Sequence, residues 1–317
     1  MVCEASRDCY LSARKARFIL MALIIIMSFL QIKHTTHYPV LHREVSQLVS
    51  DYILHVEDQK RSVQMFDGTF GGGGHSVSLL NKHRNLKVLG TDLDYHVLEQ
   101  CRNEYEPLVK QRRLALEHSN FVNIPAIDLK KAFQRKITTK ERFDVGLLDL
   151  GFSSYQLEDI DRGFSYMPDN SEGPLDMRFD ASLDSQMASA SDILNNSSLF
   201  ELTQIFKTFG EERFASVLAK KIVEARQGTI LGSAGDFRDA IKTAFPQSGT
   251  HERSKAIRRA FQAIRIAVNY EILNLTTFLD TCPDTFLDTK LNRKNSEQQS
   301  SLLLIITFHS LEERLVS

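Results

Sequence analysis

The chain has 317 residues, of which 42% are hydrophobic and 25% charged, and its formal net charge at pH 7 is -1. That length holds one large domain or two ordinary ones. The near-zero charge excludes a protein that coats nucleic acid nonspecifically, so any RNA contact has to come from a local basic face.

At the N-terminus Arg14, Lys15 and Arg17 precede an apolar run from Phe18 to Leu30, which falls short of the roughly 20 residues that span a bilayer. No stable membrane span is expected. A basic stretch before a short apolar core has the shape of a secretory or organelle targeting segment, so residues 1–33 are expected to stand outside the fold. In "HTTHYPVLHREVSQLV", His37, Pro39, Val40 and Leu41 lead into an amphipathic helix that carries Val45, Leu48 and Val49. Among the cysteines, Cys3, Cys9, Cys101 and Cys282 form no CxxC pair. Neither a zinc site nor a disulfide framework is indicated.

The stretch "MFDGTFGGGGHS", Met65 to Ser76, sits between a short apolar run and the helical pattern of "SVSLLNKH", and "LKVLGTDLD" follows with Asp92 and Asp94 at its end. That reads as β-α-β with a glycine turn. Glycines there allow positive φ and bare the backbone N–H groups, so a polar ligand can settle against the turn near the positive end of the next helix. An acid closing the second strand commonly takes ribose hydroxyls. A nucleoside-bearing cofactor is the reading; a flexible joint is the bland alternative.

A helix is predicted from about Tyr95 to Val109, a third strand in "RLALEHSNF", and a charged helical stretch from about Ile124 to Lys140. "FDVGLLDLGFSSYQL" then brings an apolar strand, Val145 to Leu148, closed by Asp149. In an open α/β sheet ligands gather beyond the carboxyl ends of the strands, so Asp149 is expected to face the crevice of the glycine turn and Asp92. From Ile160 "DRGFSYMPDNSEGPLDMRFD" reads as a long ordered loop, of a kind often functional. Mostly helical sequence follows, in which Phe261, Ile264, Val268, Ile272, Leu275 and Phe278 mark one buried helix face. After a polar segment, "LLLIITFHS" reads as a buried parallel strand.

"HYPVLHREV", "DGTFGGGGHS", "DLGFSSYQL", "RGFSY", "GPLDMRFD", "FGEERFA", "FQAIRIAVN" and "FHSLEER" follow one another from His37 to Arg314. In that order they resemble the RsmH/MraW methyltransferases and their mitochondrial counterparts, which methylate the N4 amine of a cytosine in small-subunit ribosomal RNA. The resemblance implies an α/β fold: a Rossmann-like class I methyltransferase sheet with an inserted helical domain. Its parts would be 34–158, an insertion over 159–255, and a second methyltransferase part over 256–317 that lacks its last strands. It also implies S-adenosyl-L-methionine as cofactor, held by Gly73, Gly74, His75, Asp92, Phe121, Asp149 and Gln156. The partner would be small-subunit ribosomal RNA or the assembled subunit, with no DNA. A homodimer and a mitochondrial location stay open. Where the family carries a "PGG" turn before the last matched strand, this chain has "CPDTFLDTKLNRKNSEQQSS".

Methyl transfer to an amine is an in-line displacement in which positioning supplies much of the rate, and the amine needs an acceptor for its proton. Asp149, Ser153 or a backbone carbonyl of "DLGFSS" are the candidates, with a purely cofactor-binding Asp149 as the alternative. The base has to leave its stack. Asp176, Arg178, His309 and Ser310 are candidates to hold it, although Arg178 can equally be an internal partner of Asp176. Arg253, Lys255, Arg258 and Arg259 form a local basic cluster for phosphates, or a solvated helix face. The rival readings are a nicotinamide oxidoreductase, which would need a second nucleotide half, and a ribosome-assembly factor that binds RNA without chemistry.

Overall fold

A computed structural model describes residues 19–24, 39–57, 62–127, 132–133, 143–167, 172–180, 182, 186–246, 249–286 and 301–317. Arg14, Lys15, Arg17, His37, most of the predicted 124–140 helix and the polar segment before "LLLIIT" lie outside them. The chain divides into two compact units, one of residues 1–151 with 273–317, the other of residues 152–272. This second unit starts earlier and ends later than the insertion expected over 159–255, and the chain returns to the first unit at Leu273.

The first unit runs β1 (Ile19–Ile24), α1 (His42–Glu57), β2 (Val63–Asp67), α2 (Gly74–Lys82), β3 (Leu86–Asp92), α3 (Tyr95–Glu104), α4 (Glu106–Lys110), β4 (Leu114–His118), a 3-10 turn (Phe121–Ala126) and β5 (Val145–Asp149). The expected Tyr95–Val109 helix is broken at Tyr105, because Pro107 fits only the first turn of a new helix. In the second unit come α5 (Ser154–Glu158), α6 (Ala190–Asn196), α7 (Leu199–Thr208), α8 (Ala215–Gly228), α9 (Ala234–Ala244) and α10 (Thr250–Asn269). α11 (Glu271–Phe286) leads back, and β6 (Leu302–Thr307) and α12 (Ser310–Val316) complete the first unit.

All strand pairs are parallel, in the order β1-β6-β5-β2-β3-β4. β6, "LLLIIT", is buried at every position, as a strand covered on both faces requires. Ile19–Ile24, inside the stretch 1–33 expected to stand outside the fold, pairs with β6. An apolar run can satisfy the N–H and C=O groups that the flank of β6 would otherwise present unpaired.

Strand alternation separates two cores. Val63, Met65, Leu86, Val88, Val145 and Leu147 join Val49 and Ile53 of α1 and Leu79 and Leu80 of α2. Phe66, Leu89, Leu148, Leu303 and Ile305 join Leu275 and Phe278 of α11 on the other face. With a side-chain period of two, Asp67, Asp92 and Asp149 all fall on the α1/α2 face.

The helical unit has its own core. Ala260, Phe261, Ile264 and Val268 of α10 pack with Leu202, Phe206, Leu218, Ile222 and Phe237, and the Phe237 and Phe261 rings stack at 4.8 Å. Ser189, Ser198 and Ser233 start α6, α7 and α9 as capping boxes with Asp192, Glu201 and Asp236, each cap contributing about 1 kcal/mol. α10 stops at Tyr270, whose φ of 53° is left-handed. That stop divides the single stripe read from the sequence. Phe261, Ile264 and Val268 belong to the helical core, whereas Leu275 and Phe278 belong to the sheet core.

Candidate active site

β2 ends before its neighbours. Asp67 lies opposite Leu147 of β5 and Gly90 of β3, and both flanking strands continue to Asp149 and Asp92. Those two acids stand two residues farther along the sheet, one on each side of the gap that β2 leaves. The glycine turn fills that gap. Gly71 and Gly73 have φ of 51° and 79°, a conformation that costs a residue with a Cβ, and Gly73 caps α2. A Cβ on Gly74 would collide with Pro39, so the missing side chain lets the segment before α1 close over the start of α2. At Gly71 a Cβ would meet nothing within 4 Å, so the space beside its backbone is open.

The turn is held from behind. Gly71 N–H donates to Asp92 Oδ2 at 2.7 Å and Asp94 N–H to Asp92 Oδ1 at 2.9 Å. The Tyr105 hydroxyl donates to the Gly72 carbonyl at 3.0 Å, and the Cys101 thiol approaches the Gly71 carbonyl at 3.5 Å. Asp67 is buried. Its Oδ2 accepts from the Ser76 hydroxyl at 2.5 Å and its Oδ1 from Thr69 N–H at 3.3 Å. Burial pushes its carboxyl up to about 6, against the lowering pull of the Ser76 bond and the His75 charge. Burial also raises Asp92, opposed by the backbone N–H groups of Asp94, Gly71 and Leu93.

His75 sits in the first turn of α2, with its Nε2 3.5 Å from Asp149 Oδ2. Its ring stacks on His42 at 5.9 Å and 16°, and burial, followed by the charge of His75, lowers the pKa of His42. Neither ring nitrogen of His75 has a hydrogen-bond partner among the described residues, nor has Asp149 Oδ1 or Thr307 Oγ1 at the end of β6, and all four atoms are buried. Buried polar atoms are nearly always satisfied in folded proteins. His75 and Asp149 meet where β5 ends and α2 starts, and these atoms are open to a polar ligand; Thr307 shares the parity of Leu303 and Ile305 and falls on the other face.

The other predicted residues take varied places. Phe121 lies beside Gly68, where a Cβ would come within 2.8 Å of it, and its ring meets Phe278 edge-on at 5.6 Å. His309 caps α12, its Nδ1 accepting Glu312 N–H at 3.3 Å, and Ser310 opens that helix. Ser153 and Gln156 belong to the helical unit and cap α5 reciprocally: Gln156 N–H donates to Ser153 Oγ at 3.2 Å and Ser153 N–H to Gln156 Oε1 at 2.9 Å. Asp176 and Arg178 form a forked ion pair with contacts of 2.7 to 3.1 Å. The internal pairing that the sequence left open is thus the arrangement present, and the Asp176 bond raises the Arg178 guanidinium. Within the basic cluster, Arg259 is bound to buried Glu212 at 2.7 Å and Lys255 to Glu252 at 3.1 Å, while Arg258 is exposed.

The model of the MraW methylase family matches residues 34–317. The chain belongs to this family. Proteins named ribosomal RNA small subunit methyltransferase H are similar to it along most of their length. The one from Thermobifida fusca is 33% identical over 279 residues, 88% of this chain and 75% of the relative. That from Clostridioides difficile is 36% identical over 276 residues, 86% and 79%. That from a Sulfurihydrogenibium species is 34% identical over 283 residues, 88% and 84%.

The methyl donor of MraW methylases is S-adenosylmethionine, and the residues present fit it. The open space beside Gly71 lets a ligand approach the backbone closely. Asp92 spends one acceptor site of each oxygen, and a carboxylate offers about four, so sites remain for ribose hydroxyls. The unsatisfied oxygen of Asp149 suits the positive charge of an ammonium. The contribution of Thr69, Ser76 and Tyr105 escaped sequence reading. Asp67 is legible as an acid beside the turn, but Thr69 and Tyr105 carry no signal until the chain is folded.

Proposed function

We propose that the protein transfers the methyl group of S-adenosylmethionine to the N4 amine of a cytosine in small-subunit ribosomal RNA. The observation that carries this reading is the set of unsatisfied buried atoms of His75 and Asp149 between two acid-tipped parallel strands and a left-handed glycine turn, in a chain of the MraW family. When bound, the cofactor supplies a methyl carbon made electrophilic by its sulfonium.

The chain's own residues have three tasks. Gly73, Gly74 and His75 receive the amino-acid end of the cofactor, Asp92 its ribose, and Phe121 its adenine face. Asp149 fixes the cofactor ammonium or accepts the proton that leaves N4 as the new N–C bond forms. Ser153 is the other candidate acceptor, and its hydroxyl oxygen is already engaged with Gln156 N–H. Positioning the amine in line with the methyl carbon accounts for most of the acceleration expected of such a site. For the RNA, exposed Arg258 is the member of the basic cluster best placed to meet a phosphate, and His309 and Ser310 are candidates for the base edge. Asp176, Arg178 and Arg259 act through the shape they hold.

No helix among the described residues is long and apolar enough to cross a membrane. A mitochondrial location draws only on the charge pattern of Arg14, Lys15 and Arg17, and the relatives compared are bacterial.

The test is incubation of the purified protein with methyl-labelled cofactor and assembled small subunits, followed by mass analysis of the RNA. Label at cytosine N4 is expected, with saturable cofactor binding and no NAD binding. RNA binding without transfer would instead establish an assembly factor.

A further inference from the structure

We infer that Thr69 is a positioning residue of the methyl-transfer site: its hydroxyl replaces the lost strand neighbour of Asp149 and so fixes where that carboxylate stands. The inference rests on the proposed function only in naming the reaction it serves.

β2 and β5 form a parallel ladder up to Asp67 and Leu147. Gly68 N–H donates to the Leu147 carbonyl at 2.9 Å, which is ordinary parallel pairing. Two residues farther along β5, the Asp149 N–H points to the same side, and the next acceptor in the ladder would be the Gly68 carbonyl. That carbonyl is taken elsewhere. It accepts the Thr91 hydroxyl at 3.2 Å, and Phe70 N–H donates to the Thr91 carbonyl at 2.9 Å, so the chain veers toward β3 as it leaves the sheet. The veer opens the gap over β5. It also strips Asp149 of its strand partner, and a buried backbone N–H left without an acceptor is costly.

Thr69 repairs the break. Its Oγ1 accepts the Asp149 N–H at 2.6 Å, and its own N–H is tied to Asp67 Oδ1, whose second oxygen holds Ser76 in the first turn of α2. One short chain of hydrogen bonds therefore joins the end of β5, the end of β2 and the helix that carries His75. The Asp149 side chain can leave its Oδ1 unspent because its backbone is anchored here. A valine in place of Thr69 has nearly the same shape and no acceptor; a serine keeps the acceptor.

The experiment compares Thr69→Val, Thr69→Ser and wild type in the full chain. It measures cofactor affinity by calorimetry, kcat and KM for small subunits, thermal midpoint, and hydrogen exchange at the Asp149 amide. Thr69→Val is expected to lower kcat roughly ten- to hundred-fold, as a displaced reacting group does, and to speed exchange at that amide, with KM for the subunit unchanged. Thr69→Ser should recover kcat to within about three-fold, since it restores the acceptor. Equal activity of Thr69→Val and wild type, or equal losses in Val and Ser, would overturn the assignment. Should Thr69→Val fail to fold, Thr69→Ala against Thr69→Ser makes the same comparison. A wild-type protein that binds the cofactor and transfers nothing would instead count against the proposed function; exchange at the Asp149 amide would still test Thr69.

Discussion

Two clusters of buried polar groups, one in each unit, differ in how they are satisfied. Around the end of α10 in the helical unit the groups have found one another: Arg265 grips Glu271 through two contacts of 2.8 and 3.0 Å with both side chains nearly enclosed, Arg259 holds Glu212, and Asn269 bridges the Met177 carbonyl and Phe179 N–H at 2.7 Å each. In the sheet unit the polar atoms gathered beyond β5 and at the start of α2 stay unsatisfied. Matched groups fix shape, since a closed network specifies one arrangement. Unmatched ones hold capacity for a ligand, so substitutions should separate the units by what they damage.

The largest effect is expected at Asp149. Asp149→Ala removes one oxygen with no hydrogen-bond partner among the described residues and one that lies 3.5 Å from His75 Nε2, so the fold loses little and the thermal midpoint should stay within about 2 °C. Transfer should fall by about a thousand-fold or more, the scale for removing a group that orients or stabilises the reacting centre. Single-turnover assays with labelled cofactor measure the loss, and a melting curve measures the stability. A variant that melts early while transferring normally would erase the contrast between the units.

The converse variant lies in the helical unit. Glu271→Ala leaves the Arg265 guanidinium buried without its counter-charge, 5.0 Å over the Phe152 ring, and should cost about 3–5 kcal/mol. Urea midpoints read that loss. Replacing both partners by apolar residues of similar volume should return most of it, because the penalty is an unpaired charge and not a missing attraction. At temperatures where the single variant is still folded, transfer should change far less than stability.

How much of this could be read in advance follows the same division. The acids at strand ends, the glycine turn and the fully apolar β6 were legible because each is a local pattern: an apolar run closed by Asp, a cluster that tolerates positive φ, a strand with both faces covered. The break at Tyr270 was not. Phe261 to Phe278 keeps a helical period through the stop, and periodicity carries no information on which core each turn meets. Asp176 and Arg178 show another limit, since two residues at that spacing can serve a ligand or each other and only the fold decides. Thr69 was invisible for a third reason, because its role exists only once β2 has left the sheet.

Asp67 offers a pH test of the contrast. Its carboxyl sits at about 6 in the folded protein, above the unfolded value of about 3.9. Between those two values the folded state keeps a proton that the unfolded state has released, so stability falls as pH rises through that window and levels off above it. The total change is on the order of 2–3 kcal/mol. Melting curves from pH 4 to 8 should show that slope, and Asp67→Asn should flatten it. A slope that survives the substitution belongs to other groups.

The smallest expected effect sharpens the boundary between shape and capacity. Tyr105→Phe deletes only the hydroxyl that donates to the Gly72 carbonyl. A single net hydrogen bond contributes about 0.5–1.5 kcal/mol, and here part of it goes into holding the glycine turn in its left-handed form. The variant should therefore weaken cofactor affinity by roughly two- to five-fold, with a thermal midpoint lowered by only a few degrees. Calorimetric titration at several temperatures separates the two. If affinity is untouched while the midpoint drops, Tyr105 belongs with the matched groups of the scaffold, and the turn keeps its shape through Gly71 N–H on Asp92 and the Cys101 thiol on the Gly71 carbonyl.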